Sequence, residues 1–233
     1  GQLDTPVINM LEQKFEKSRF SRVDSDAIDR LIQKEDAPAN NEADKEDCDN
    51  VAEMFNSQLP KLDHTIFRVE TRSQGAAAPV TIIQSEYMRR MKEMSRLQAG
   101  MSFYGEMPDE YTLILNSDHR LVREILDEGK KATADSLAPI SSELKGLKAR
   151  HAALKQQQEK KKADEITDDD RNALKECDEN IKKQKDEYNK ILGDYAAGNK
   201  VLHQLIDLAL LQNGMLRGEA LSRFVSRSVE LIK

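Results

Sequence analysis

The spacing of apolar residues changes character several times along the chain. Ile8, Leu11 and Phe15 recur at helical intervals and Phe20-Ser21-Arg22-Val23 alternates, so residues 6–23 predict a helix followed by a short strand. A further short helix is expected over Ala27–Gln33. Glu35–Asp49 then has no period, is acidic, and carries Pro, Asn and Ala, which predicts an extended flexible linker at a domain boundary. Val51, Met54, Phe55 and Leu59 form a helical stripe ahead of Pro60. Thr65–Val69 and Val80–Ile83 predict two strands, paired as a hairpin across the long Gly/Ala connection of Ser73–Pro79, and Tyr111–Leu115 predicts a third. Asn116-Ser117-Asp118-His119 precedes Leu121, Val122, Ile125 and Leu126, where Ser117 or Asp118 is placed to cap a helix. His119, just after the cap position, is expected to fix the turn by a hydrogen bond.

Residues 135–195 follow a different rule. Leu137, Ile140, Leu144, Leu147, His151, Leu154 and Gln158 step by three and four, and so do Leu174, Cys177, Ile181, Gln184, Tyr188, Ile191 and Tyr195. These are two coiled-coil seams. Polar Glu159–Asp170 separates them, with Thr167 and Asp170 spaced as a capping box for the second helix. Folding back near Ile166 sets Leu144 against Tyr188, Ile140 against Ile191 and His151 against Ile181, in an inserted hairpin at about 130–196 whose tip should fray. Val201–Gln212 is apolar on more than one face, and Asn213-Gly214 is a strong helix stop. Glu219–Ile232 places Leu221, Phe224, Val225, Val229 and Ile232 on one side. A helix that is apolar nearly all round must be covered on both sides, which predicts a second copy and a four-helix bundle across a two-fold axis. The predicted interface holds Leu202, Leu205, Ile206, Leu208, Ala209, Leu221, Phe224, Val225 and Ser228. The fold class is thus α+β: a small mixed sheet with packed helices, an inserted antiparallel helical coiled-coil hairpin, and a C-terminal helix pair forming a dimeric bundle.

Composition narrows this little. In 233 residues, 33% are charged, 5% aromatic and none is Trp, a balance that favours long solvated helices over a β-sandwich. The net charge of −6 gives no reason to expect nucleic acid or an anionic membrane as partner. No apolar run is long enough for a membrane span, and no signal peptide opens the chain. Cys48 and Cys177 have no metal spacing and are expected as reduced thiols in a cytoplasmic protein. Leu3-Asp4-Thr5-Pro6 reads as mid-protein sequence, so a piece of something longer is expected. Phosphate-binding, dinucleotide, zinc-protease and serine-hydrolase motifs are missing, His64, His119, His151 and His203 are scattered, and Lys160-Lys161-Lys162 is flanked by acids. Neither a catalytic site nor a metal site is predicted.

The stretch QSEYMRRMKEMSRLQAGMSFYGEM, residues 84–107, holds five of the eight methionines and no Val or Ile. On a helix, Tyr87, Met91, Met94, Leu97 and Met101 share a side with Met88 at its edge, and Arg89, Lys92, Glu93 and Arg96 lie opposite. Two readings stand: an ordinary core stripe, or a soft surface that accepts many shapes.

Several strings resemble the C-terminal region of the ninety-kilodalton heat-shock chaperone family: FEKSRFSRV at Phe15–Val23, YMRRMK at Tyr87–Lys92, YTLILNSDHRLV at Tyr111–Val122, and LIDLALLQNGML at Leu205–Leu216 leading to Phe224-Val225-Ser226-Arg227. Asn-x-Asp-His after a strand is the most specific, although Ser117 stands where the family usually has Pro. The resemblance covers about residues 1–126 and 196–233; the hairpin is longer than most of the family carries. It implies a middle-domain tail at 1–34, a linker at 35–49, and a dimerization domain at 50–233. It implies client contact through the helix matching Ser85–Gln98, most directly by Met88 and Met91 and more weakly by Tyr87, Met94 and Leu97. The implied partners are a second copy and unfolded or partly folded clients, with ATP and Mg bound only by the full-length protein and no cofactor here. The alternative is a coiled-coil scaffold or adaptor whose helical hairpin binds a partner.

Overall fold

A computed structural model describes residues 4–15, 20, 42–84, 108–160 and 167–232. Their elements are α1 (Asp4–Lys14), α2 (Glu42–Asn56), β1 (Thr65–Arg72), β2 (Val80–Gln84), β3 (Asp109–Asn116), α3 (Arg120–Glu159), α4 (Asp168–Gly198), α5 (Lys200–Gln212) and α6 (Gly218–Ile232). The strand expected to follow Phe20 and the helix expected over Ala27–Gln33 lie outside the described residues. Packing divides the chain into two units, Gly1–Arg123 with Lys200–Lys233, and Glu124–Asn199.

In the first unit the three described strands are ordered β1-β3-β2. β3 runs parallel to β1, with Thr65 beside Asp109, and antiparallel to β2, with Val80 beside Leu115. The hairpin expected between the first two strands therefore does not form. The reason lies in β3: Leu113, Ile114 and Leu115 are all fully buried, so both its faces are covered, as at the centre of a sheet. β1 instead alternates half-buried and exposed positions from Thr65 to Glu70, the pattern of an edge. Helix α2 packs on β1, anchored by Val51, Met54 and Phe55 in the core, and Thr71 Oγ1 donates to the carbonyl of Cys48 at 3.2 Å. Residues 42–49, expected as linker, are thus the first turns of a helix. Their acids sit where a helix N-terminus favours negative charge, which compensates the missing apolar period.

The end of the sheet is fastened by one buried side chain. Asn116 accepts from the backbone N–H of Gln74 and of Asp118, each at 3.1 Å. It donates to the carbonyls of Gly75 and Ala77 at 3.1 and 3.2 Å. Asp118 accepts from Ser73 Oγ at 2.6 Å, Gly75 N–H at 2.9 Å and Arg123 at 3.3 Å. Asp118 is thereby occupied, and neither it nor Ser117 caps α3. The turn is closed by His119, whose Nδ1 accepts from the N–H of Leu121 at 3.2 Å.

The Ser73 and Gly75 hydrogen bonds, aided by Arg123, hold the Asp118 carboxyl below the usual carboxylate range. A group whose folded pKa is depressed contributes stability that is present above its unfolded value, about pH 4, and lost as pH falls through the folded one. Urea midpoints at pH 6 and pH 3 should therefore differ more for the native chain than for Asp118→Asn. Equal differences would remove Asp118 from the acid sensitivity.

The second unit is a pair of antiparallel helices. Gln158 Nε2 donates to the carbonyl of Asp170 at 2.7 Å, His151 Nε2 lies 3.1 Å from Asp178 Oδ1, and Cys177 Sγ donates to the carbonyl of Leu147 at 3.4 Å. Leu137, Ile140, Leu144, Cys177, Leu192 and Ala196 are buried. The capping box is present: Asp170 N–H donates to Thr167 Oγ1 at 3.2 Å, and Thr167 N–H to Asp170 Oδ2 at 3.1 Å. Two expectations shift. Asp178 stands beside His151, so the register differs from the one that opposed His151 to Ile181. And α3 runs unbroken from Arg120 through Pro139, so the first seam helix is the continuation of the helix after β3 rather than a separate element.

Candidate self-association surface

Helix α5 packs on β2 and against α6. Its stop has the geometry expected of Asn213-Gly214. Gly214 adopts φ 67, where only Gly is unstrained, while Met215 N–H reaches the carbonyl of Leu210 and Gly214 N–H that of Leu211. These two bonds make a Schellman stop.

The contact of α6 with α5 includes a run of polar bonds. Lys200 Nζ meets Glu230 at 2.7 Å, holding the Glu230 carboxyl below its ordinary range. Gln204 donates to Ser228 Oγ at 2.6 Å, and the Ser228 hydroxyl donates in turn to the carbonyl of Phe224 at 2.8 Å. Arg227 donates to Gln204 Oε1 at 3.0 Å and pairs with Asp207, both side chains largely buried.

With that side committed to α5, the apolar line of α6 points away from it. Leu221 is 37% exposed and Val225 and Val229 are each 53% exposed, at i, i+4 and i+8. On α5, Leu208 at 39% and Leu211 at 37% are exposed too. Leu202, Leu205, Ile206 and Ala209, expected at an interface between copies, are instead at most 5% exposed inside this chain. Helix α5 is apolar on more than one face, and within the chain the sheet covers one of them. Phe224 and Ser228 are half-buried, and Ser228 is bound to α5. Of the expected set, Leu208, Leu221 and Val225 are exposed in the single chain. Val229 and Leu211 are exposed beside them; Val229 was legible as the next i+4 step after Val225, and Leu211 as the i+3 neighbour of Leu208.

Tyr87, Met88, Met91, Met94 and Leu97 lie outside the described residues. The last residue of β2 and the first of β3 are joined by their side chains, Gln84 Nε2 donating to Asp109 Oδ1 at 3.3 Å. Among the described residues no group of His, Cys, Asp and Glu could hold a metal ion, and no helix is long and apolar enough to cross a membrane.

No protein-family model matches this chain, and no solved structure does. Three named relatives align with all of it. The Chaperone protein HtpG of Bacteroides thetaiotaomicron is 52% identical over 233 residues, that of Bacteroides fragilis is 52% identical over 234, and that of Porphyromonas gingivalis is 42% identical over 237. The alignments run through the paired helices α3 and α4 as well as through the sheet. The chain spans about a third of the length of these relatives, 34% in each case. Similarity of this depth over every residue defines the class as a stretch of chaperone protein. More narrowly, the chain belongs to the HtpG family, the bacterial branch of the ninety-kilodalton heat-shock chaperones.

Proposed function

We propose that this chain is the dimerization and client-contact module of an ATP-dependent chaperone that assists protein folding in the cytoplasm. The observation that carries the proposal is the uncovered apolar line Leu221–Val225–Val229 with Leu208 and Leu211 beside it. Half-exposed side chains of this kind each gain on the order of 1 kcal/mol when covered, so a symmetric contact that counts them twice gains several. In this proposal residues 1–34 are the tail of a middle domain, and the domain that pairs begins near residue 50. Pairing fastens two longer chains at one place and raises the effective concentration at which their remaining parts meet. ATP and Mg belong to the part of the longer protein outside these residues, and no nucleotide is held here.

Client contact is assigned to Tyr87, Met88, Met91, Met94 and Leu97. Its test is Met88→Ser with Met91→Ser in this chain. The pair should reduce suppression of aggregation of a denatured protein by about tenfold, two lost Met contacts each contributing on the order of 1 kcal/mol, while the melting temperature stays put. A large drop in melting temperature with undiminished suppression would make the stretch core and end the assignment. The scaffold alternative draws no support from apolar surface: none of the exposed large hydrophobic side chains lies on α4 or on residues 124–159 of α3.

A further inference from the structure

We infer that the helical pair of residues 124–199 bends at its root, at the level where Gly129 and Thr133 of α3 face Gly193 and Gly198 of α4, with Pro139 just beyond on α3. Three features weaken α3 there. Pro139 lies inside the helix; it has no N–H to donate to the carbonyl of Asp135, and its ring crowds that turn. Buried Thr133 turns its hydroxyl back onto the carbonyl of Gly129 at 2.8 Å, a bond that competes with the helical ladder and tilts the axis. Gly129 itself lowers helix propensity. In α4 the last turns hold Gly193 and Gly198, after which Asn199 leaves the helix with ψ 101.

The weak stretches lie opposite one another. His151 beside Asp178 and Gln158 on Asp170 define an antiparallel register. Carried back along the pair, these contacts and the bond of Cys177 to Leu147 set Gly193 opposite residues 131–136 and Gly198 opposite residues 126–131, the level of Thr133 and Gly129. A seam between two helices bends as a unit only where both of them yield. Farther out they do not: α4 has neither Gly nor Pro from Asp168 to Leu192, so Gly146 of α3 faces an unbroken partner. The outer section, from Leu144 of α3 outward, therefore moves as one rod. At about 1.5 Å per residue the stretch of α3 beyond Pro139 is roughly 30 Å long, so a kink of about 20° shifts its end by about 10 Å.

Hydrogen exchange of the intact chain, read by mass spectrometry, tests the bend. Amides of residues 134–143 should exchange at least about tenfold faster than those of 147–154, although all lie within one helix. Two substitutions stiffen the root without entering the core. Pro139 is exposed, and a Cβ at Gly198 meets nothing within 4 Å. Pro139→Ala and Gly198→Ala should each slow exchange of 134–143 by about tenfold. Gly198→Ala is the decisive one, because it acts from the other helix. Gly146→Ala, also into open space, is the control and should leave 134–143 unchanged. The inference is overturned by uniform protection across 134–154, by no response to either root substitution, or by an equal response to Gly146→Ala.

Discussion

Asn116→Ala is expected to cost about 3 kcal/mol, since each buried group left without its partner costs about 1–3 kcal/mol. The side chain is fully buried, and its amide uses two acceptor and two donor positions on Gln74, Asp118, Gly75 and Ala77. Alanine would leave four backbone groups of the 74–77 connection and the following turn to find water in a partly buried site. The connection itself depends on Gly75 at φ 56, so little else compels it to keep its shape. Asn116→Asp is the sharper control. It preserves volume and both acceptors but turns an acceptor oxygen toward the carbonyls of Gly75 and Ala77, and it should be at least as damaging. Urea unfolding measures both: the midpoint should fall while the slope stays constant. A loss below about 0.5 kcal/mol for Asn116→Ala would show that water replaces the amide at no cost, and the latch would be a consequence of the fold rather than a cause.

That latch shows where sequence reading stops. Asn116-Ser117-Asp118-His119 was legible as a turn before a helix, because such residues compete for backbone groups locally. Its partners were not, since Ser73, Gln74, Gly75 and Ala77 lie about forty residues upstream and no local spacing marks them. The sheet is similar. All three described strands were visible as apolar runs, but their order depends on which strand is covered on both faces. Leu113-Ile114-Leu115 breaks the alternation that Thr65–Glu70 keeps, and this was the available signal for a central β3. Nearness in sequence favours a β1–β2 hairpin, but burial on both faces of β3 decides the order. Residues 42–49 misled for another reason: their acids read as solvated linker, whereas the anchor that makes them helical, Val51 with Met54 and Phe55, comes afterwards in the chain. In α5 the apolar excess was plain, but periodicity cannot say which face meets the chain's own sheet. By that ambiguity Leu202, Leu205, Ile206 and Ala209 read equally well as contacts to the sheet or to a second copy.

Separating those two faces gives the second large effect. The native chain should sediment at twice 26.5 kDa at micromolar concentration. Val225→Asp places a carboxylate on the uncovered line of α6, where a lone chain leaves it in water at little cost. In a symmetric pair the charge is buried twice, and each burial without a partner costs several kcal/mol. Dissociation should therefore strengthen by at least about a hundredfold, with unchanged helicity and melting cooperativity. Val229→Asp should act in the same way. Leu205→Asp must behave differently: Leu205 is 5% exposed within the single chain, so the charge enters the core beneath α5, and the expected result is an unfolded or aggregating domain rather than a folded monomer. Sedimentation and circular dichroism on the three variants distinguish an interface from a core. A dimer that survives Val225→Asp and Val229→Asp together would mean that the copies meet elsewhere. A native chain found at 26.5 kDa would remove the pairing altogether.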